Sequence, residues 1–259
     1  MPAAGHAGTI ARVIEFINVH KAFGAKKVLD GVSLTVRTGQ ICFVIGKSGA
    51  GKSVLVKHLM GLLRPDAGRI VFEGTDITDW TEAQFYALRR RCTLVFQHST
   101  LFDSMSLLEN VALPLRKHRG LSHHASLDAA RGFLARVQME AMADRFPADV
   151  GDGLRKRVAI ARALTLEPAY MVFDEPTTGL DPVSAVNVDR LIRRLSDELN
   201  VTSIVVSHDL RSIFGVADRV VMLYEGLIRL DGTPADFRAS DDPIVRQFVR
   251  GEPEGPMAL

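Results

Sequence analysis

Residues 46–53 read Gly46-Lys47-Ser48-Gly49-Ala50-Gly51-Lys52-Ser53. This stretch has the pattern G-x-x-x-x-G-K-S, and it lies between the apolar run 41–45 and a helical pattern that extends to Leu63. The glycines allow successive backbone N–H groups to turn towards one anion, and the start of the helix adds a positive partial charge. The succession of strand, loop and helix therefore predicts a phosphate-binding loop in an α/β fold. A glycine-rich turn that matches by chance is the alternative, and the flanking strand and helix count against it.

The loop contains two side chains that suit nucleotide chemistry. Lys52 is expected to reach the β- and γ-phosphates, where it would act in catalysis, and the Ser53 hydroxyl is expected to bind Mg²⁺. The backbone before them is expected to surround the phosphates, and its residues are Gly46, Lys47, Ser48, Gly49, Ala50 and Gly51. A nucleotide and Mg²⁺ are therefore the predicted ligands, and this loop does not say what the energy of nucleotide hydrolysis is used for.

The composition indicates a globular protein whose membrane role would need a partner. Hydrophobic residues make up 47% and charged residues 24% of the 259 positions, which suits one large α/β core. Apolar runs extend to about five residues, whereas a membrane helix needs roughly 18. Residues 1–11 lack the basic start and the long apolar segment of a signal peptide, so a cytosolic location is expected. The basic clusters lack interleaved aromatic residues, so no nucleic-acid partner is expected.

The pattern of strands and helices divides the chain into three predicted parts. The first 40 residues have a strand-like pattern with turns, and strand patterns return after residue 169. Between about residues 98 and 166 the apolar positions follow a helical spacing instead. We therefore predict an α/β core over 1–97 and 166–245, with an N-terminal antiparallel β region, and an inserted α-helical subdomain over 98–165. Residues 246–259 are predicted to form a C-terminal tail, which looks exposed.

Two acidic residues follow an apolar strand pattern late in the chain. The run 169–173 leads directly into Asp174 and Glu175. Beside a phosphate-binding loop, a carboxylate at the end of a buried strand suits Mg²⁺ coordination, which is the role expected of Asp174. Glu175 is expected to face the water that attacks the γ-phosphate, either as its general base or as the group that orients it.

Two further polar residues end predicted strands. His208 follows the apolar run 203–206, where its imidazole is placed to hydrogen-bond to the γ-phosphate. Gln97 closes the run 92–96, from which its amide is placed to reach Mg²⁺ or the attacking water. Taken alone, His208 would be interpreted as an ordinary core or surface histidine, and Gln97 would carry little weight.

The order of these motifs resembles the ATP-binding cassette (ABC) ATPases over roughly residues 12–245. The resemblance includes Thr178-Gly179-Leu180-Asp181, besides the motifs already described. It implies that Gln97 is the Q-loop glutamine, that Asp181 closes the D-loop at the nucleotide site, and that His208 is the switch histidine. Phe23 lies where the family stacks an aromatic ring on adenine, although an ordinary apolar residue near a turn is an equally open interpretation.

A finer resemblance is to the Mla-type ATPase subunits of bacterial phospholipid transporters. It rests on residues 96–106, 109–115 and 242–248, and on Gly255-Pro256. It implies an ATPase on the cytoplasmic side of the inner membrane that drives phospholipid between the two membranes of a Gram-negative envelope. The implied partners are a membrane permease, a periplasmic lipid-binding subunit and a small STAS-domain subunit. An ATPase of a small-solute importer, and a regulatory subunit that binds ATP with weak or no hydrolysis, remain alternatives.

The chain departs from this family at the signature motif, usually L-S-G-G-Q. The corresponding residues are Val150-Gly151-Asp152-Gly153-Leu154. In the family this motif, including the glycine that is Gly153 here, covers the γ-phosphate of ATP held by a second copy, so two copies are implied. Gly151 lacks the usual hydroxyl, and the loss of one such donor typically costs about 10²–10³ in rate.

Asp152 raises a second doubt about the signature. We expect it at the N-cap position, where its carboxylate would oppose the phosphate by about 4 kcal/mol at 4 Å and an effective dielectric of 20. Hydrolysis is then weak, unless the carboxylate points outward and leaves the backbone donors free.

Overall fold

The computed structural model describes residues 13–257, whose strands form a six-stranded and a four-stranded sheet. The segment 1–11, discussed above as a poor signal peptide, lies outside this range, as do residues 258–259. The strands are β1 Val13–Phe23, β2 Lys26–Arg37, β3 Ile41–Ile45, β4 Ala67–Phe72, β5 Thr75–Asp76, β6 Cys92–Val95, β7 Tyr170–Asp174, β8 Thr202–Val206, β9 Arg219–Tyr224 and β10 Leu227–Gly232. The helices are α1 Lys52–Leu59, α2 Glu82–Arg91, α3 Leu107–Arg119, α4 His123–Arg136, α5 Asp152–Leu164, α6 Pro182–Leu199, α7 Leu210–Val216, α8 Pro234–Ala239 and α9 Pro243–Arg250.

Buried parallel strands form the six-stranded sheet, whose order is β10-β9-β3-β8-β7-β6. All of its strand pairs are parallel except β10 with β9. Strands β3, β7 and β8 are buried along their whole length, as expected when a parallel sheet is covered on both faces. Because these three strands are neighbours and point the same way, the loops at their carboxyl ends meet at one edge.

The N-terminal strands form a separate antiparallel sheet of order β2-β1-β4-β5. Along β2, Val32, Leu34 and Val36 are buried while the residues between them are exposed. The buried face shares one hydrophobic cluster with Leu55 and Leu59 of α1. This arrangement confirms the predicted N-terminal antiparallel β region.

Helices α3, α4 and α5 lie between β6 and β7 in the chain and pack against one another. Helix α3 begins at Leu107 because Ser106 and Glu109 satisfy each other's backbone N–H groups in a capping box. Helix α4 begins after Ser122, whose hydroxyl accepts a hydrogen bond from the Ala125 N–H. The predicted α/β core with an inserted helical block is therefore confirmed.

The C-terminal segment contains a helix that crosses the predicted start of the tail. Helix α9 spans both sides of the boundary between residues 245 and 246. Residues 251–256 are exposed, whereas the Met257 side chain is buried and its N–H donates to Gln247 Oε1 at 2.6 Å. Within residues 13–257, no helix combines the length and apolar character that a membrane crossing requires.

Candidate nucleotide-binding and catalytic site

The loop between β3 and α1 forms a cradle of backbone groups. Gly46 has a φ of 145°, and a Cβ at this position would lie 2.3 Å from the Leu223 carbonyl oxygen, so only glycine fits. Lys52 folds back over the loop, where its Nζ donates to the carbonyl oxygens of Gly46 at 2.8 Å and Lys47 at 3.2 Å. Burial lowers the pKa of Lys52, and the neighbouring Glu175 carboxylate opposes that effect. The cradle therefore places a buried ammonium beside the backbone donors.

Three oxygen-bearing side chains converge beside the cradle. Ser53, in the first turn of α1, donates to Asp174 Oδ1 at 2.7 Å. Gln97 lines the same cavity as Ser53. Hydroxyl, carboxylate and amide oxygens fit Mg²⁺, which in nucleotide sites takes few protein ligands and completes its shell with phosphate oxygens and water. Ser53, Asp174 and Gln97 are thus the residues that would hold this ion.

Glu175 lies at the centre of the site. Its carboxylate lies 2.9 Å from His208 Nδ1, accepts from Thr178 Oγ1 at 2.9 Å, and lies 3.7 Å from Lys52 Nζ. Its backbone has a φ of 50°, in the left-handed region, and its N–H donates to the Val206 carbonyl oxygen at 2.9 Å. Strain of this kind costs about 1–3 kcal/mol and is found at functional sites. The side chain is 13% exposed, so it is shielded but open to a small reactant.

These residues border a cavity of about 800 Å³. The phosphate-binding loop and Glu175 lie on its lining, and so do His208 and Gln97. Phe23 also lines the cavity with 49% of its surface exposed, and Lys21 Nζ lies 5.5 Å from the centre of its ring. The cavity of the single chain is therefore large enough for a nucleotide, and an exposed aromatic ring lies on its lining.

Comparison with known proteins identifies the family. A family model described as ABC transporter matches residues 29–178. This chain belongs to the ABC transporter family. The match spans the phosphate-binding loop, Gln97, Asp174 and Glu175, and it ends at Thr178.

Named relatives are similar to this ABC cassette along most of its length. The intermembrane phospholipid transport system ATP-binding protein MlaF of Haemophilus influenzae is 36% identical over 245 residues, covering 95% of this chain and 93% of the relative. MlaF of Escherichia coli K12 is 34% identical over 249 residues, covering 96% and 93%. The probable ribonucleotide transport ATP-binding protein mkl of Mycobacterium tuberculosis is 36% identical over 246 residues, covering 95% and 68%.

Solved structures agree with the assignment. The ABC cassette MJ0796, a dimer in a post-hydrolysis state bound to ADP and phosphate, has a TM-score of 0.77 and 29% identity, covering 85% of this chain and 98% of that chain. The cassette cbiO1 from Clostridium perfringens has a TM-score of 0.81 and 27% identity, covering 94% and 96%. The chain is therefore the ABC ATPase of a transporter, with a site for ATP.

The signature segment of this cassette differs from the expectation for Asp152. Gly151, not Asp152, has the N-cap conformation, with φ −70° and ψ 165°, and Asp152 is the first residue of α5. The predicted N-cap position was therefore wrong, because the extended backbone that precedes the helix falls one residue earlier. The Asp152 carboxylate, 68% exposed, instead accepts from Arg155 Nη2 at 2.5 Å and from Arg155 Nε at 3.2 Å. A guanidinium in the same helical turn thus compensates its charge.

Gly153 and Asp181 lie close together, away from the large cavity of the same chain. A Cβ on Gly153 would lie 2.8 Å from the Ser184 hydroxyl oxygen, so α5 and the start of α6 are in close contact. Asp181 Oδ1 caps α6 by accepting from the N–H groups of Val183 at 2.9 Å and Ser184 at 3.0 Å. Neither residue lines the 800 Å³ cavity. The nucleotide contact expected of Gly153 and Asp181 therefore stays a prediction.

Sequence reasoning missed three residues of the site. Thr178 holds the Glu175 carboxylate, and its position next to the D-loop is a local signal that could have indicated this. Phe248 of α9 lines the nucleotide cavity, and Arg155 neutralises Asp152. The spacing of Asp152 and Arg155, three residues apart on a helix, is a signal for an ion pair. The approach of Phe248 depends on long-range folding and has no local signal.

Proposed function

We propose that this chain binds ATP with Mg²⁺ and hydrolyses it in a dimer that drives a membrane permease. The observation that carries the proposal is the half-buried Glu175 carboxylate, which lies between Lys52, Thr178 and His208 at the wall of the nucleotide cavity. Polar groups from three neighbouring strand ends are thereby brought to the place where a γ-phosphate would lie. Membership of the ABC ATPase family supports ATP hydrolysis as the reaction, and the distances between these side chains support the role proposed for each residue.

The proposed chemistry assigns one task to each side chain. Glu175 accepts the proton of the attacking water, and the His208 and Thr178 contacts fix the orientation of its carboxylate. Lys52, once it leaves its carbonyl partners, neutralises the phosphate charge that develops during transfer. Ser53, Asp174 and Gln97 would hold Mg²⁺, which would offset the negative charge of the phosphate groups. Phe23 provides a face for the adenine ring.

The second copy completes the site. In this proposal the signature of one chain, from Val150 to Leu154, covers the γ-phosphate on the loop of the other. The ion pair with Arg155 reduces the repulsion expected between the Asp152 carboxylate and the phosphate, because the first turn of α5 no longer presents an isolated negative charge. Hydrolysis therefore proceeds in the assembled complex, although Gly151 provides no hydroxyl.

A groove beside the Q-loop is the proposed docking surface for the permease. It has a volume of about 320 Å³ and lies between the core and the helical block. Leu62 and Phe96 line it with 46% and 40% of their surfaces exposed. Apolar side chains exposed next to Gln97 suit an amphipathic helical segment of a partner. Such a partner would keep the cassette at the cytoplasmic face of the inner membrane.

We further propose that the cargo is phospholipid, because relatives named as phospholipid transport ATPases match over nearly the whole chain. A periplasmic lipid-binding subunit and a small STAS-domain subunit would then complete the system. The name of the mkl relative offers a ribonucleotide or another small solute as the rival cargo.

The cargo test uses the assembled complex. The cassette is purified with its permease, bound lipid is identified by mass spectrometry, and transfer of labelled phospholipid between vesicles is followed with and without ATP. ATP-dependent transfer that stops in the Glu175→Gln complex supports the proposal. Transport of a nucleoside or another small solute without lipid transfer would overturn the cargo. ATP binding without turnover would favour the regulatory alternative.

A further inference from the structure

A buried lysine of the signature helix holds the backbone of the Q-loop. Lys156, in the second turn of α5, is 2% exposed. Its Nζ donates to the carbonyl oxygens of Phe96 at 2.8 Å and of Gln97 at 2.5 Å. A buried ammonium is costly unless its donors are satisfied, so two short bonds to successive carbonyls are a specific arrangement.

A second cation of the same helix holds the next part of the loop. Arg162 donates to the carbonyl oxygen of Ser99 at 3.3 Å, and to the carbonyl oxygen and hydroxyl of Thr100 at 2.9 Å and 3.1 Å. Residues 96–100 are therefore attached to α5 at two points about 1.7 turns apart. The loop and the helix are expected to move together.

The helix that holds the loop is also the helix that begins with the signature. A cavity of about 390 Å³ lies where the Q-loop, the signature and the D-loop meet, and it is lined by Gln97, Asp152, Lys156 and Gly179, among others. The charged or titratable groups that share this cavity with Lys156 are His98, Asp103, Asp152 and Arg155. Lys156 hydrogen-bonds directly to the Gln97 backbone, through the carbonyl oxygen of that residue.

We propose that Lys156 is a positioning residue that sets where the Gln97 amide lies relative to Mg²⁺ and the attacking water. Bonds to the carbonyl oxygens of residues 96 and 97 fix the two peptide groups on either side of the Gln97 Cα, and hence the direction of its side chain. When the start of α5 contacts nucleotide bound to a second copy, the resulting movement of α5 is passed through Lys156 to Gln97 of the same chain. The inference rests on the proposed function, because Gln97 acts only in an ATP site.

The test compares three variants in the full complex with its permease. Lys156→Met removes the donor and keeps a similar apolar stem, whereas Lys156→Arg keeps a charged donor. Arg157→Met is the matched control, because Arg157 lies next in the helix but donates to Val137 O and Gln138 Oε1 instead. Thermal unfolding establishes that each protein folds, and Lys156→Gln replaces Lys156→Met if the latter does not.

Two readouts are measured for each variant. We expect Lys156→Met to lower kcat by about 10–100-fold, as misplacement of a reacting group by about 1 Å does, with a smaller change in KM. Adding Mg²⁺ to EDTA-treated protein should raise its affinity for ATP, and we expect this increase to be about 10-fold smaller in Lys156→Met than in the wild type. Loss of a contact that supports a metal ligand typically weakens metal binding by about this factor. Lys156→Arg should recover most of both quantities, and Arg157→Met should match the wild type.

The two proposals fail in different ways. A folded wild-type complex that never hydrolyses ATP would overturn the proposed function, and the Mg²⁺ gain in affinity would still test Lys156. The positioning role would be overturned if Mg²⁺ raised the ATP affinity of Lys156→Met as much as that of the wild type. It would also be overturned if Lys156→Met and Arg157→Met lost equal amounts of kcat and of Mg²⁺-dependent ATP affinity. Failure of Lys156→Arg to recover either quantity would also count against it.

Discussion

Removal of the Arg155 guanidinium is expected to slow ATP turnover, because it leaves the Asp152 carboxylate uncompensated at the start of α5. In the structure Arg155 lies 2.5 Å from Asp152 Oδ1, and it also donates to the Pro147 carbonyl oxygen at 3.3 Å. Arg155→Met would keep the stem of the side chain and abolish the charge. The negative charge of Asp152 would then face the phosphate presented by the second copy.

The size of the effect follows from the exposure of Asp152. Two unit charges about 4 Å apart repel by about 1 kcal/mol in water and about 4 kcal/mol at an effective dielectric of 20. The Asp152 side chain is 68% exposed, so the lower part of this range applies. A rise of about 1–2 kcal/mol in the activation barrier corresponds to a loss of about 5–30-fold in kcat.

The assay is steady-state phosphate release by the complex of cassette and permease. Arg155→Met should be slow, and the double variant Asp152→Gly with Arg155→Met should recover the wild-type rate, because it contains neither charge. Added salt should reduce the defect of the single variant, since the repulsion is screened. ATP affinity measured with ADP competition serves as the control for folding. Wild-type turnover in Arg155→Met, or a double variant as slow as the single one, would refute the reasoning.

Three other changes test separate parts of the account. Glu175→Gln should lower kcat by about 10²–10⁴-fold and trap ATP in a stable dimer on size-exclusion chromatography; continued turnover would remove Glu175 from its role. Phe23→Ala should raise the KM for ATP by about 3–10-fold if the ring stacks on adenine, whereas an unchanged KM would indicate an ordinary apolar residue. Burial raises the pKa of Asp189 from 3.8 to about 6, although Ser212 donates to its carboxylate at 2.7 Å. Because the fold disfavours the ionised form, Asp189→Asn should raise the free energy of unfolding by at most about 3 kcal/mol at pH 7.5. That gain should shrink as the pH falls from 6 to 4 in denaturant titrations, and a gain independent of pH would contradict the assignment.

The sequence predicted the fold class because its signals were local and periodic. The glycine-rich loop, the buried strands and the helical spacing after residue 98 each depend on neighbouring residues, and the structure has all three. The convergence of Ser53, Asp174, Glu175 and His208 could also be anticipated, since parallel strands place their carboxyl ends at one edge.

Contacts between distant residues could not be anticipated in the same way. Lys156 reaches carbonyl groups about 60 positions away, and the sequence around it suggests a solvated basic helix face. Phe248 reaches the nucleotide cavity only because α9 folds back against the core. The N-cap of α5 depended on backbone angles at Gly151, which the spacing of polar residues did not specify.

We expect the ATP site of this chain to be catalytically competent once a second copy completes it. The most direct measurement is phosphate release against time by the purified wild-type complex with its permease, with Mg²⁺ and with EDTA. We predict sustained, Mg²⁺-dependent turnover that increases cooperatively with ATP concentration. Tight ATP binding with no more phosphate release than the Glu175→Gln complex would contradict the claim.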